Sequence, residues 1–334
     1  MNLSSSWRVV LSAMIGAGLS IAAGGGLLAK HHDWLGGTAA RVATYESSTG
    51  QTSFAMSLVG QWDAEQVAAT DVAIFIDTSA SQTGLYKRDS IAVLERVLAG
   101  LNKGDRVLIF AVDIDPVALM DQWAAPHDAS VVEALERVNL RTPLGTTDMI
   151  SMLQTAARVF ETAPAGRTRN VVYIGDGVSR GGLVNDRRFP GLIGQLSETR
   201  AAFSSYAIGP QRDVESLAAL ANQLGGNLFL DSDDTEAVEA GATGLAATCR
   251  GHVFWPKSVR LPDTISELYP KRFPPLRSDR DSIVIGELSR PGQVDLEVVG
   301  DLNGRETTFR WSVQSEASNE DFAFLPKLID LARR

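Results

Sequence analysis

From residue 71 onward, apolar residues fall into short blocks separated by stretches of helical period. Val72, Ala73, Ile74, Phe75 and Ile76 form an unbroken apolar run, the signature of a strand buried on both faces. Ile91, Leu94, Leu98 and Leu101 then recur at spacings of three and four, which predicts a helix. Further strands are predicted at 106–112, 170–174, 203–208 and 227–230, with a short edge strand at 116–123. Further helices are predicted at 131–138, 148–160, 192–199, 214–224 and 235–249. Strands alternating with helices predict an α/β domain over 71–250, a doubly wound and mostly parallel sheet with helices on both faces.

The pattern changes after Arg250. Pro256, Pro262, Pro270, Pro274 and Pro275 interrupt any helix. Residues 282–288, 294–299 and 307–313 then read as strands, separated by the turn signals Pro291-Gly292 and Asn303-Gly304. These predict a smaller C-terminal β-domain over 251–315, followed by a C-terminal segment, 316–334, with an amphipathic helix at 322–332. The chain stops inside that helix at Arg333-Arg334, as a piece of a longer protein would. On the N-terminal side, 31–70 reads as a polar linker, richest in Gly, Ser and Thr up to about Thr49. A short strand at 52–60 could join the β-domain, which would then be built from both flanks of the α/β domain. Arg8 precedes an uncharged stretch, 9–29, so residues 1–30 read as a signal peptide or a membrane anchor, and the protein as exported. Cleavage and anchoring both stay open.

Composition narrows the function classes. The chain has 334 residues, 44% hydrophobic and 21% charged, enough to bury a core and add a second domain. A formal charge of −9 argues against nonspecific nucleic-acid binding, which needs a basic face. The one cysteine, Cys249, excludes an internal disulfide. It lies in an Ala-rich helical stretch and reads as packing.

The candidate chemistry sits where apolar runs end. Asp77, Ser79 and Ser81 follow the first run at alternate positions, and Asp176 follows the run at 171–174. Thr147 opens a helical stretch. In parallel sheets, ligands bind beyond the carboxyl ends of the strands. Five oxygen donors there suit a hard cation, Mg²⁺ or alternatively Ca²⁺ or Mn²⁺, and no Cys or His cluster suggests zinc. Two carboxylates balance one dication, and three hydroxyls add no charge. Such a site leaves an open position to an external carboxylate.

The segments Asp77-Thr78-Ser79-Ala80-Ser81, Leu144-Gly145-Thr146-Thr147-Asp148 and Ile174-Gly175-Asp176-Gly177 resemble, in order and spacing, the metal-ion-dependent adhesion site of von Willebrand factor type A domains. The resemblance covers 71–250, over half the chain. It implies a Rossmann-like fold and metal-ligand roles for Asp77, Ser79, Ser81, Thr147 and Asp176, directly or through water. It also implies a non-enzymatic binding module whose partner is a protein or peptide presenting an Asp or Glu. Of the two adjacent threonines, Thr147 matches the family pattern, with Thr146 in its glycine position. Gly175 stands where many members carry Thr or Ser. The segments around Trp255-Pro256, Tyr269-Pro270, 275–281 and Phe324-Leu325-Pro326 look like the region that follows this domain in exported bacterial proteins, which implies a cell-envelope setting.

An enzymatic alternative is a haloacid-dehalogenase-like phosphotransferase, with Asp77 as nucleophile and Asp176 and Asp186 as the later acids. That chemistry needs an acid two residues after the nucleophile, and Ser79 stands there. Other acidic groups have plainer readings. Asp113 and Asp115 end a strand as loop or capping groups. Asp231, Asp233, Asp234 and Glu236 suit the start of a helix. Arg277, Asp279, Arg280 and Asp281 read as a salt-bridged turn between the domains.

Overall fold

The computed structural model describes residues 40–62, 69–161, 166–183 and 186–333. The proposed signal or anchor, 1–30, and Arg334 lie outside the described residues. The chain divides into two compact units: one holds residues 69–251 and the other combines 40–62 with 252–333.

The first unit is a six-stranded sheet in the order β5-β4-β3-β6-β7-β8. Its strands are β3 (Thr70–Asp77), β4 (Arg106–Val112), β5 (Pro116–Ala118), β6 (Thr168–Gly175), β7 (Ala201–Ala207) and β8 (Leu228–Leu230). All neighbours run parallel except the short edge strand β5, which pairs antiparallel with β4. The edge strand is thus shorter than the expected 116–123 and ends at Ala118. Six helices accompany the sheet: α1 (Leu85–Ala99), α2 (Ala129–Leu140), α3 (Met149–Glu161), α4 (Phe189–Glu198), α5 (Val214–Leu224) and α6 (Thr235–Thr248).

Every residue of β3 is buried. Val72, Ile74 and Ile76 join Val93, Leu94 and Val97 of α1 and Leu245 of α6 in one core cluster, while Ala73 and Phe75 alternate to the opposite face. This is why β3 reads as a continuous apolar run. The chain runs from β3 to β4 on one side and later to β6 on the other. The crevice beside the carboxyl end of β3 is therefore a topological switch point, the place where open α/β sheets take ligands. Asp77 ends β3, and Asp176 directly follows β6.

The second unit holds two antiparallel sheets. One has the order β1-β2-β11-β10 and the other β13-β12-β9. The strands are β1 (Ala40–Glu46), β2 (Thr52–Leu58), β9 (Phe254–Arg260), β10 (Ile265–Tyr269), β11 (Ser282–Leu288), β12 (Gln293–Leu302) and β13 (Arg305–Gln314). Phe54, Met56 and Leu58 of β2 and Val284 of β11 share a core with Val294, Leu296 and Val298 of β12. β2 pairs with β11 over its full length, so segments from both flanks build one sheet.

Three expectations change here. The stretch read as linker contains β1, whose buried positions include the small or polar Ala40, Ala43 and Thr44. The proline-broken segment after Arg250 contains β9 and β10. Pro256 is tolerated because β9 lies at the edge of its sheet, next to β12, and the register shifts beside Pro256. The C-terminal helix is shorter than expected: a 3₁₀ turn, Glu320–Phe322, precedes α7 (Leu325–Ala332), with Pro326 in its first turn. The Arg277 turn lies within this unit. Arg277 grips Asp279 through two bonds of 2.6 and 2.7 Å, and Ser57 of β2 donates to Asp281.

Candidate metal centre

Asp77 and Asp176 are both 3% exposed. One carboxylate oxygen of Asp77 accepts the Ser79 amide at 2.8 Å. The other accepts the Thr147 hydroxyl at 2.8 Å and the Tyr173 hydroxyl at 2.7 Å. Asp176 accepts the Ser81 hydroxyl at 2.5 Å on one oxygen and the Val178 amide at 2.9 Å on the other. The Ser79 and Ser81 hydroxyls lie 2.9 Å apart. The five side chains singled out in the sequence thus form one connected cluster. Thr147 is buried within it, whereas Thr146 is exposed.

Backbone bonds fix the loops that carry these groups. Thr78 and Leu144 are joined by a 3.1 Å bond, as are Ala80 and Gly145, so the loop before Thr147 is stapled to the loop after Asp77. The Arg180 amide donates to the Thr147 carbonyl at 2.8 Å, tying in the third loop. Arg141 bonds the Thr78 hydroxyl and pairs with Asp113 at 2.7 Å. Asp113 is therefore a loop group that braces the rim.

Two participants are missing from the sequence reading. Tyr173, fully buried in β6, donates to Asp77 and accepts the Gly177 amide at 3.1 Å. Gln82 donates to Asp176 and to the Ile208 carbonyl. The available signal for Tyr173 is a lone hydroxyl inside an aliphatic strand, two residues before a glycine and so on the same face. A Cβ at Gly175 would sit 2.4 Å from the Asp77 Cβ and 2.6 Å from the Tyr173 hydroxyl oxygen. Only glycine fits there.

Burial pushes the Asp77 carboxyl upward, and the nearby Asp176 adds to the shift, against the opposing Ser79 amide and Tyr173 hydroxyl. Burial also pushes Asp176 up, against bonds from Ser81 and Val178. Burial, with Asp77 second, holds the Tyr173 phenol well above its ordinary range, so it acts as a donor. Two buried carboxyls under this pressure, amid hydroxyls and with no basic partner for either among the described residues, fit a hard dication, which would favour their charged forms. Among the described residues no cluster of three or more His, Cys, Asp or Glu is arranged for a metal. The donor set here is two carboxylates and three hydroxyls.

The phosphotransferase alternative finds no acid at position 79. Asp186 is engaged by Arg188, which holds its carboxyl down to about 2. The acidic run before α6 supplies that helix's cap, Asp234, which accepts the Glu236 amide at 3.0 Å.

Comparison with known proteins agrees with this architecture. Residues 70–229 match the family model described as von Willebrand factor type A domain. A solved structure titled von Willebrand factor type A from Catenulispora acidiphila is 15% identical and has a TM-score of 0.54. The match covers 83% of this chain and 71% of that one. The pilus adhesin SpaC from Lactobacillus rhamnosus GG is 12% identical with a TM-score of 0.42, covering 84% of this chain and 47% of its own. BatB from Bacteroides thetaiotaomicron is 15% identical with a TM-score of 0.42, covering 54% of this chain and 98% of its own. None of the curated proteins compared matches the chain. At 15% identity the likeness to the Catenulispora acidiphila structure speaks to fold alone. The sheet order and the switch-point crevice show a von Willebrand factor type A fold, and residues 70–229 are the stretch that the family model matches.

Proposed function

We propose that the protein is a non-enzymatic, metal-dependent binding module. Asp77, Ser79, Ser81, Thr147 and Asp176 would hold one Mg²⁺, with Ca²⁺ or Mn²⁺ as substitutes, and an acidic side chain of a protein partner would complete its coordination. Von Willebrand factor type A domains are generally protein-interaction modules. The observation that carries the reading is the closed oxygen cluster, in which two buried carboxyls face three hydroxyls across three stapled loops. Bound there, the cation would supply a positive centre able to accept an external carboxylate. The chain's own residues position the donors and keep both carboxylates out of bulk water.

A setting in the cell envelope belongs to the same proposal and rests on the uncharged stretch 9–29. Among the described residues no helix is long and apolar enough to cross a membrane.

Titration calorimetry with Mn²⁺ and Mg²⁺ tests the site. One ion per chain is expected in the wild type. Asp77→Ala and Asp176→Ala should each weaken binding at least about tenfold, the scale of one lost charged ligand, while far-ultraviolet circular dichroism stays unchanged. A wild type that takes up no divalent ion, or an Asp77→Ala variant that binds it equally well, refutes the reading.

A further inference from the structure

Large apolar side chains stand exposed on the loops of this same site. Leu144, 65% exposed, lies three residues before Thr147, and its amide is bonded to Thr78. Val178, 44% exposed, lies two residues after Asp176 and donates its amide to that carboxylate. Ile114, 48% exposed, follows β4, and its side chain approaches to 3.4 Å of the Cβ position at Gly145. The backbones of these loops are committed to holding the site, yet these side chains are left to solvent. Single exposed aliphatics are ordinary, but several gathered around one polar centre mark an interaction surface.

Charge narrows what covers them. Two carboxylates and a dication sum to zero, so the face offers one open coordination position and little net field. Beside it, Arg180 is exposed. Its amide is bonded to Thr147, and its guanidinium has no hydrogen bond or ion pair among the described residues. A purely apolar occupant would leave both the open position and Arg180 unanswered. A purely acidic one would leave the three aliphatic groups wet.

We propose that the partner is an extended peptide segment in which the metal-seeking Asp or Glu is flanked by aliphatic or aromatic side chains, with a second acidic residue nearby to meet Arg180. The inference rests on the metal-bridge reading above. In an extended segment the residues next to a central acid turn to the opposite face, and those two positions away share its face, about 7 Å to either side. Side chains at those positions can cover Leu144 and Val178 while the acid enters the open coordination position.

The test uses a phage-displayed peptide library with one fixed Asp and randomised flanks. It is panned on the full chain in Mg²⁺ and eluted with EDTA. Enrichment of aliphatic or aromatic residues two positions from the Asp is expected. A synthetic peptide of the enriched sequence should bind about tenfold more weakly to Leu144→Ser/Val178→Ser. Arg180→Ala should remove any preference for a second acid. Both sets of substitutions are on exposed side chains, and an unchanged melting midpoint verifies that the fold is kept. EDTA-eluted peptides with no apolar enrichment, or an affinity indifferent to Leu144→Ser/Val178→Ser, overturn this inference alone. A wild type from which EDTA releases no peptide overturns it too. The calorimetric ion count then decides whether the metal reading falls with it.

Discussion

Tyr173 ties the two loops that carry Asp77 and Asp176 from beneath: its hydroxyl donates to Asp77 and accepts the Gly177 amide. The ring can reach across because position 175 has no side chain. Tyr173→Phe keeps the ring and deletes one charge-assisted hydrogen bond, worth about 1.5–3 kcal/mol. The bond is made without metal as well, and the Gly177 amide loses its acceptor, so the melting temperature is expected to fall by several degrees while Mn²⁺ affinity falls by about tenfold. Equal affinity in the variant would make the bond structural only. Gly175→Ala forces a methyl group against Asp77 and should cost about 1–3 kcal/mol of stability, seen in urea unfolding. Asp77, Ser79, Ser81, Thr147 and Asp176 are legible in the sequence because each lies at a strand end or helix start, in recognisable order. Tyr173 and Gln82 are not, because their role exists only once β3, β6 and the loop after β7 are side by side.

Among the elements, β3 serves the site at one end and the sheet at the other. At its carboxyl end it presents Asp77. At its amino end the fully buried Asp71 accepts Arg106 of β4 at 2.6 and 2.9 Å and Arg167, just before β6, at 2.5 Å. One carboxylate thus registers the central strand against both neighbours. Its two arginines are partly exposed and can be rehydrated, so Asp71→Ala is expected to cost about 2–3 kcal/mol, below the cost of stranding a fully buried charge. β3 spans eight residues, so the two ends lie about 20 Å apart. Metal affinity should therefore be unchanged in Asp71→Ala, and a large loss would mean that strand register, not local donor geometry, sets it. The same contrast explains which strands are legible. The parallel strands are covered on both faces and show as apolar runs. β1 buries alanines and threonine, and β9 and β10 are edge strands of which one contains a proline. Neither pattern separates from loop by hydrophobicity alone.

At the scale of the whole molecule, the two units differ in how the chain builds them. Residues 69–251 are continuous, whereas the second unit needs 40–62 together with 252–333. Within it β2 is an interior strand, paired on one side with β1 and on the other with β11, and it supplies Phe54, Met56 and Leu58 to the core. A fragment of 252–333 would expose one edge of β11 and lose those three buried side chains. Burying a side chain of that size is worth about 1.5–3 kcal/mol, so their loss approaches the whole stability of a small domain. Expressed alone, 252–333 is expected to give a poorly dispersed NMR spectrum, and joining 40–62 to it through a flexible linker should restore dispersion. The continuous unit carries every donor of the candidate centre and all of the bonds that brace it. A fragment of 69–251 is therefore expected to bind Mn²⁺ within about twofold of the full chain. A much weaker affinity in a fragment that still folds would show that the centre depends on residues beyond its own sheet. Equal affinity would place the metal chemistry wholly in the switch-point crevice, because Asp77, Thr147 and Asp176 already hold their positions there through bonds made inside that unit.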